Sequence, residues 1–226
     1  MRVRRLVMLR HGQTEYNAGS RMQGQLDTDL SDLGRDQAAA AAEVLAKRQP
    51  LLIVSSDLRR ALDTAETLGN RAGVSVAVDK RLRETHLGDW QGLTHLEVDA
   101  AAPGARLAWR DDARWAPHGG ESRVDVAERS LPLVVELVEQ QAEWGLDRPG
   151  AGSERPVVLV AHGGLIAALT AGLLGLPVDN WPVLGGMGNA SWVQLSGHSA
   201  DDAEFADIRW RLDVWNASAQ VANDVL

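Results

Sequence analysis

The sequence predicts a three-layer α/β/α fold, with helices on both faces of a mostly parallel central sheet. Three observations predict it. Apolar runs at 6–9, 51–54 and 157–161 have the length and continuity of buried strands. Stretches of helical periodicity lie between the strand-like runs, the rhythm of βα units. Each run stops at a polar segment containing glycine or serine, and ligands in open α/β sheets bind at the carboxyl ends of strands.

In chain order, residues 6–9 form the first strand, cut off by Arg10. Residues 30–48 read as a helix with Ser31 as its N-cap and an alanine run at 38–42, alanine being the best helix former. Pro50 closes that region, and 51–54 is a second strand bounded by Ser55 and Ser56. Residues 57–71 return to helical periodicity and end before Gly73, and 74–78 is a β-branched third strand. Residues 83–114 carry Gly88, Gly92, Pro103 and Gly104 and read as loops with short helices. With the segment up to Glu121 they predict an inserted cap, about 83–121, within one domain spanning 1–226. Residues 122–144 form a long helix, with apolar Val126, Leu133, Val134, Leu137 and Val138 on one stripe and Pro132 as a kink or break. Residues 145–156 are a surface connection and 157–161 a central strand, followed by a helix at 163–174. Two further strands are expected at 190–195 and 205–214, with a polar tail from Asn216.

At 226 residues, 45% apolar and 24% charged, the composition is that of a globular domain with a full core. No cysteine is present, which excludes disulfides, thiolate metal sites and thiol catalysis. The net charge of −8 gives no reason to expect nucleic acid as a partner, so a site for an anionic substrate has to be built from locally clustered Arg and His. No apolar run is long enough to span a bilayer. The basic start, Met1-Arg2-Val3-Arg4-Arg5, is followed by too short an apolar stretch for a signal peptide, so the expected location is cytoplasmic with no membrane partner.

Five segments put reactive side chains at strand ends or in loops beyond them. They are Arg10-His11-Gly12 with Asn17 and Gln23, Ser55 to Ala61 with Arg60, Arg81 to Thr85 with Glu84, Gly119-Gly120-Glu121-Ser122, and Ala161-His162-Gly163-Gly164. The set suits phosphoryl transfer, which needs an in-line nucleophile, neutralisation of the oxygens' charge and a proton for the leaving oxygen. Arginines supply planar forks for phosphate, histidine a nucleophile, glutamate an acid, and a helix opening at Gly163 supplies backbone N–H groups. Each residue also has a structural reading. One of Arg59 and Arg60 is a surface charge, Glu84 sits among Arg81, Arg83 and His86 as in a solvated ion cluster, and His162 follows an apolar strand as a core histidine does. His86, His95, His118 and His198 read as structural or exposed, and no metal-ligand spacing appears, so neither metal nor cofactor is expected.

Taken together these motifs resemble the histidine phosphatase superfamily, whose fold is phosphoglycerate-mutase-like. The matching segments are Leu9-Arg10-His11-Gly12-Gln13-Thr14-Glu15 with Asn17, Ser56-Asp57-Leu58-Arg59-Arg60-Ala61 with Thr64 and Ala65, Leu82-Arg83-Glu84 with Gly88-Asp89-Trp90-Gln91-Gly92, Gly119-Gly120-Glu121-Ser122, and Val160-Ala161-His162-Gly163-Gly164. The resemblance implies that His11 is the nucleophile, that Arg10, Arg60 and His162 clamp the phosphoryl oxygens, and that Glu84 protonates the leaving alkoxide and then activates water. It extends to Asn17 and Gln23 as hydrogen-bond donors on the phosphate side. For this chemistry His11 is neutral, and His162 works best as the cation. Segments starting at Ser20, Leu87, Trp115 and Trp210 resemble one actinobacterial branch, which implies a small phosphorylated sugar-acid substrate and a homodimer. Trp90, Trp109 and Trp115 read first as core and second as surfaces stacking on a sugar ring.

Three other readings compete. A mutase keeps its phosphohistidine from water under a more enclosing cap and tail, and the polar tail after Val214 favours a phosphatase. A broad phosphatase shares every motif, because fold does not fix substrate. A non-enzymatic phospho-ligand module would be expected to lack His11 or Glu84, and both are present.

Overall fold

In the computed structural model, which describes residues 1–146, 155–201 and 203–219, the apolar runs lie in one six-stranded sheet. The strands are β1 (Arg2–Arg10), β2 (Leu52–Ser55), β3 (Val76–Val78), β4 (Val157–Ala161), β5 (Trp192–Ser199) and β6 (Arg209–Ala217), in the spatial order β3-β2-β4-β1-β5-β6. The first four are parallel to one another; β5 runs antiparallel to β1, and β6 antiparallel to β5. All five residues of β4 are buried, as a strand between two parallel neighbours and two helical layers requires.

Seven α-helices accompany the sheet among the described residues: α1 (Glu15–Ala18), α2 (Asp32–Leu45), α3 (Arg59–Ala72), α4 (His95–Ala101), α5 (Ala105–Asp111), α6 (Arg123–Gln140) and α7 (Gly163–Leu173). Side chains alternate across a strand, so β1 and β4 each feed two cores. Val7, Leu9, Val158 and Val160 pack with Ala41, Ala42 and Leu45 of α2 and Ala61, Ala65 and Leu68 of α3. Leu6, Met8, Val157 and Leu159 pack on the other face with Val134 and Leu137 of α6 and Leu165, Ile166 and Leu169 of α7. The helix after β1 therefore lies on one face and the helix after β4 on the opposite face. Adjacent parallel strands that diverge in this way open a crevice at their carboxyl ends.

The caps follow from the sequence. Ser31 accepts the Gly34 N–H and starts α2, and Ser122 forms a reciprocal capping box with Asp125 at the start of α6. Gly73 ends α3 in the left-handed conformation. Several boundaries differ from expectation. β1 begins at Arg2 rather than Leu6, because β5 pairs along its whole length and recruits the basic start into the ladder. β3 keeps only 76–78. The two last strands lie further along the chain than 190–195 and 205–214, since 205–207 form a short 3₁₀ turn and irregular register between β5 and β6 disrupts simple alternation. α6 runs through Pro132 without a break. Most of the expected 145–156 connection, and the tail from 220, lie outside the described residues.

Residues between β3 and α6 gather around a third apolar cluster of Met22, Leu87, Trp90 and Val98. Trp90 stacks on Trp115 with centroids 5.3 Å apart and meets Trp109 edge-on at 6.0 Å. Backbone bonds from Met22 N to Leu93 O and from Gly92 N to Met22 O, both 2.8 Å, tie the 20–24 loop to this cluster.

Candidate active site

Register brings three sequence-distant segments together. Arg10 pairs with Ala161 and Ser55 with Val160, so the next residues along, His11, Ser56 and His162, leave the sheet side by side. His11 N donates to Ala161 O and Ser56 N to Val160 O, each at 3.0 Å. The two imidazole centroids are 5.1 Å apart, and both side chains are buried. Gly12 beside the nucleophile candidate and Gly34 at the start of α2 pass so closely that a Cβ on either would overlap backbone oxygen of the other segment. Only glycine allows this approach, and it fixes where β1 turns.

His11 carries its proton on one nitrogen and its lone pair on the other. Its Nδ1 lies 2.6 Å from Gly12 O, which places the proton on Nδ1, and Arg60 Nε donates to Nε2 at 3.3 Å. Burial, then the charges of Arg60 and Arg10, push its pKa well below the ordinary imidazole range. The same holds for His162, lowered by burial first and then by Arg60, His11 and Arg10. Burial and the arginines around both rings push both towards the neutral form, so these protein groups by themselves do not set the expected contrast between a neutral His11 and a cationic His162. What separates them is their partners. His162 Nε2 bonds Ser56 Oγ at 3.0 Å, and its buried Nδ1 has no partner among the described residues.

The arginines divide as burial dictates. Arg59 is exposed and pairs with Asp27 and Asp29, whereas Arg60 is 1% exposed. Arg60 donates to Leu26 O (2.7 Å) and Gly24 O (2.8 Å), and burial brings its pKa down to about 10, still charged at neutral pH. Arg10 donates to Met187 O, and its buried Nε finds no acceptor among the described residues. Among the described residues Glu84 belongs to no salt cluster. Arg81 is paired with Asp79 and Glu136, and Arg83 with Asp57. The Glu84 carboxylate instead accepts Gly164 N (3.1 Å) and Leu165 N (3.0 Å) at the amino end of α7, where the helix dipole favours an anion. A Cβ on Gly164 would stand 2.6 Å from that carboxylate.

Asn17 and Gln23 line the same cleft as Arg10, His11, Arg60 and Glu84. Asn17 Oδ1 accepts Thr14 N and Asn189 Nδ2, both at 3.1 Å, and Gln23 Oε1 accepts the Thr28 hydroxyl at 2.7 Å. With both oxygens engaged, the amide NH₂ groups make no hydrogen bond among the described residues, which suits donors to an anion. The cleft has a volume of about 280 Å³.

Sequence reasoning missed its outer wall. Arg21, His95, Trp109 and Arg110 line it, although His95 reads as structural and neither arginine belongs to a strand-end motif. Trp109 reads second as a stacking surface and Arg21 lies in the branch-like segment from Ser20, but neither His95 nor Arg110 carries a sequence signal. Also missed were residues that hold the machinery from behind. Arg129 bonds Glu121 through two nitrogens (2.8 and 3.0 Å) and donates to the carbonyls of Arg81, Arg83 and Glu84 at 2.7, 2.9 and 3.0 Å, so one guanidinium pins the loop carrying Glu84. Asn216 accepts Gly188 N at 2.8 Å and braces the turn that receives Arg10. Among the described residues no group of three or more His, Asp or Glu is arranged to hold a metal ion, and no helix is long and apolar enough to cross a membrane.

Residues 6–218 match the family model of the histidine phosphatase superfamily (branch 1). A glucosyl-3-phosphoglycerate phosphatase of Mycolicibacterium vanbaalenii is 86% identical over 229 aligned positions, covering 100% of both chains. One from Mycobacterium tuberculosis is 77% identical over 227 positions, again covering 100% of both. A solved structure of a mycobacterial glucosyl-3-phosphoglycerate phosphatase with VO3 superposes with a TM-score of 0.90 at 76% identity, over 95% of this chain and 100% of that one.

Proposed function

The chain belongs to the histidine phosphatase superfamily, and from that premise we propose that it hydrolyses the phosphate ester of glucosyl-3-phosphoglycerate through a phosphohistidine on His11. The observation that carries the chemistry is the His11 tautomer: Nδ1–H is spent on Gly12 O, which puts the attacking lone pair on Nε2, where it accepts from Arg60 Nε until phosphorus takes that place. The substrate rests on the two full-length relatives named for it.

In the first step Nε2 attacks phosphorus in line and the ester P–O bond breaks. Glu84, entering as the acid, gives its proton to the leaving oxygen. Arg10 and Arg60 offset the charge on the phosphoryl oxygens, and the Nδ1 of His162, unpartnered among the described residues, supplies a further donor. In the second step Glu84 takes a proton from water, the water oxygen bonds phosphorus, and the N–P bond breaks to free phosphate and restore neutral His11. Asn17 and Gln23 donate from the side of the cleft. We read 83–121 as the cap over this site within a single domain, acting as a cytoplasmic homodimer, the last point checked by sedimentation.

The test is phosphate release, with chelator present, from glucosyl-3-phosphoglycerate and 3-phosphoglycerate in parallel. Strong preference for the glucosyl compound is expected, with a phosphoryl label on the protein that survives alkali, is lost in acid, and is absent from His11→Ala. Equal release from both would reduce the substrate class to small phosphate esters, and transfer between glycerate positions without release would make the protein a mutase.

A further inference from the structure

We propose that Arg110, with His95 and Arg21 beside it, forms a second anion subsite at the outer end of the cleft, and that it reads the carboxylate of the phosphorylated acid. The proposal rests on the phosphatase reading above and names the group by which its substrate is selected.

Charge is the first argument. Four guanidinium groups, Arg10, Arg21, Arg60 and Arg110, and one carboxylate, Glu84, line the cleft. A phosphate dianion held by the inner arginines leaves the outer cation Arg110 without an anion in a molecule whose net charge is −8, and a second anionic group on the same substrate meets it.

The second argument is which arginines are committed elsewhere. Around Arg110, Arg106 grips Asp99 through two bonds of 2.8 and 2.6 Å, Arg114 pairs with Asp179 at 2.6 Å, and Arg123 donates to the Trp109 and Arg110 carbonyls at 2.7 Å. Arg110 is exposed, faces the cleft, and makes no side-chain hydrogen bond or ion pair among the described residues. A planar fork left unpaired in this way matches a carboxylate in two-bond geometry. Arg21 is steadied by Gly92 O at 3.0 Å and lies 3.7 Å from Glu97, and His95 N bonds Ser20 O, which ties the start of α4 to the loop that carries Arg21. His95 has its pKa lowered by burial and by Arg106 and Arg110, so it enters as a neutral hydrogen-bonding group.

The third argument is rigidity. Trp109 precedes Arg110 on α5, meets Trp90 at 6.0 Å and carries Arg123 over its ring at 5.8 Å. The helix turn bearing the cation is thereby fixed to the apolar cluster under the cleft. An ester held at its phosphate by the inner arginines and at its carboxylate by Arg110 has its reacting bond oriented from two points, which uses remote binding to favour the in-line geometry.

The experiment compares glucosyl-3-phosphoglycerate with its primary carboxamide, an isosteric neutral analogue, on the wild type, Arg110→Met and Arg110→Lys. The wild type is expected to favour the acid by about 10- to 100-fold in kcat/KM, the range of a charge-assisted hydrogen-bonded contact. Arg110→Met should lose most of that ratio and Arg110→Lys recover part of it; because each ratio is taken on one protein, a loss of folded enzyme cancels. An undiminished ratio in Arg110→Met, or no acid preference in the wild type, overturns the subsite. Absence of phosphate release from either ester by the wild type would instead overturn the substrate assignment, and the subsite with it.

Discussion

Burial and two arginines keep His11 and His162 neutral in the folded protein, while both rings take up protons near pH 6.5 in the unfolded chain. The sign of the consequence follows from linkage: below that pH the unfolded state binds more protons than the folded one, so stability falls as pH falls, and above it the contribution is complete. Between pH 7.5 and 5.5 two such rings remove about 2–3 kcal/mol of unfolding free energy. Urea denaturation at the two pH values checks this, and the His11→Asn/His162→Asn double variant should lose clearly less than the wild type over the same interval. Activity should hold below the ordinary imidazole range for the same reason, since the nucleophile stays unprotonated there. At this scale the strand-end residues were legible because the chemistry at the end of a buried strand is local. The choice of Arg60 over Arg59 was legible only through the family resemblance and not from the residues themselves, because it depends on which face of α3 meets β1, a tertiary fact that leaves one at 1% exposure and the other in surface ion pairs.

The active loop is held between two helices. α7 offers Glu84 its first backbone N–H groups, and α6 reaches across with Arg129 to bind three carbonyls of the loop. If Glu84 gives a proton to the leaving oxygen, its removal matters only when that oxygen needs one. Glu84→Gln should therefore slow the release of alkoxides far more than that of p-nitrophenolate, measured as kcat over a series of esters. Arg129→Met should give the same leaving-group dependence to a smaller degree with little change in KM, since it displaces the acid without touching the phosphate clamp. A uniform loss across the series would make Arg129 a general support of the fold. Arg129 was illegible in the sequence because its partners are carbonyl groups, which every residue has and no motif encodes. Helix starts were legible because Ser31 and Ser122 cap through their own side chains, whereas the extent of β1 was set by pairing with β5, nearly two hundred residues away along the chain.

At the scale of the whole molecule, apolar contacts among the described residues fall into three clusters, and they are unequal. Two are built on the sheet and enclose its faces; the third, under the outer wall of the cleft, buries Met22, Leu87, Trp90 and Val98. The sequence's alternation of strand and helix patterns predicted the first two, because periodicity reports burial against a regular sheet. The third is assembled from turns and seven-residue helices with no sustained period, so the tryptophans were visible only as a compositional excess. A cluster this small opens more readily than the sheet. Amides of α4 and α5 should exchange with deuterium before those of β4 and α7, even though both sets belong to one chain. Trp90 stacks on Trp115 and supports Trp109, so Trp90→Ala removes a large share of the cluster, about 3–5 kcal/mol for a buried aromatic. If 83–121 behaves as a cap on an independent base, that loss should appear as faster exchange confined to 87–115, with β4 and α7 unchanged and discrimination by carboxylate reduced, because Arg110 is then carried on a loosened helix. Equal acceleration in β4 would mean that cap and sheet unfold as one unit, and the selectivity of the outer cleft would then be bound to the stability of the entire fold.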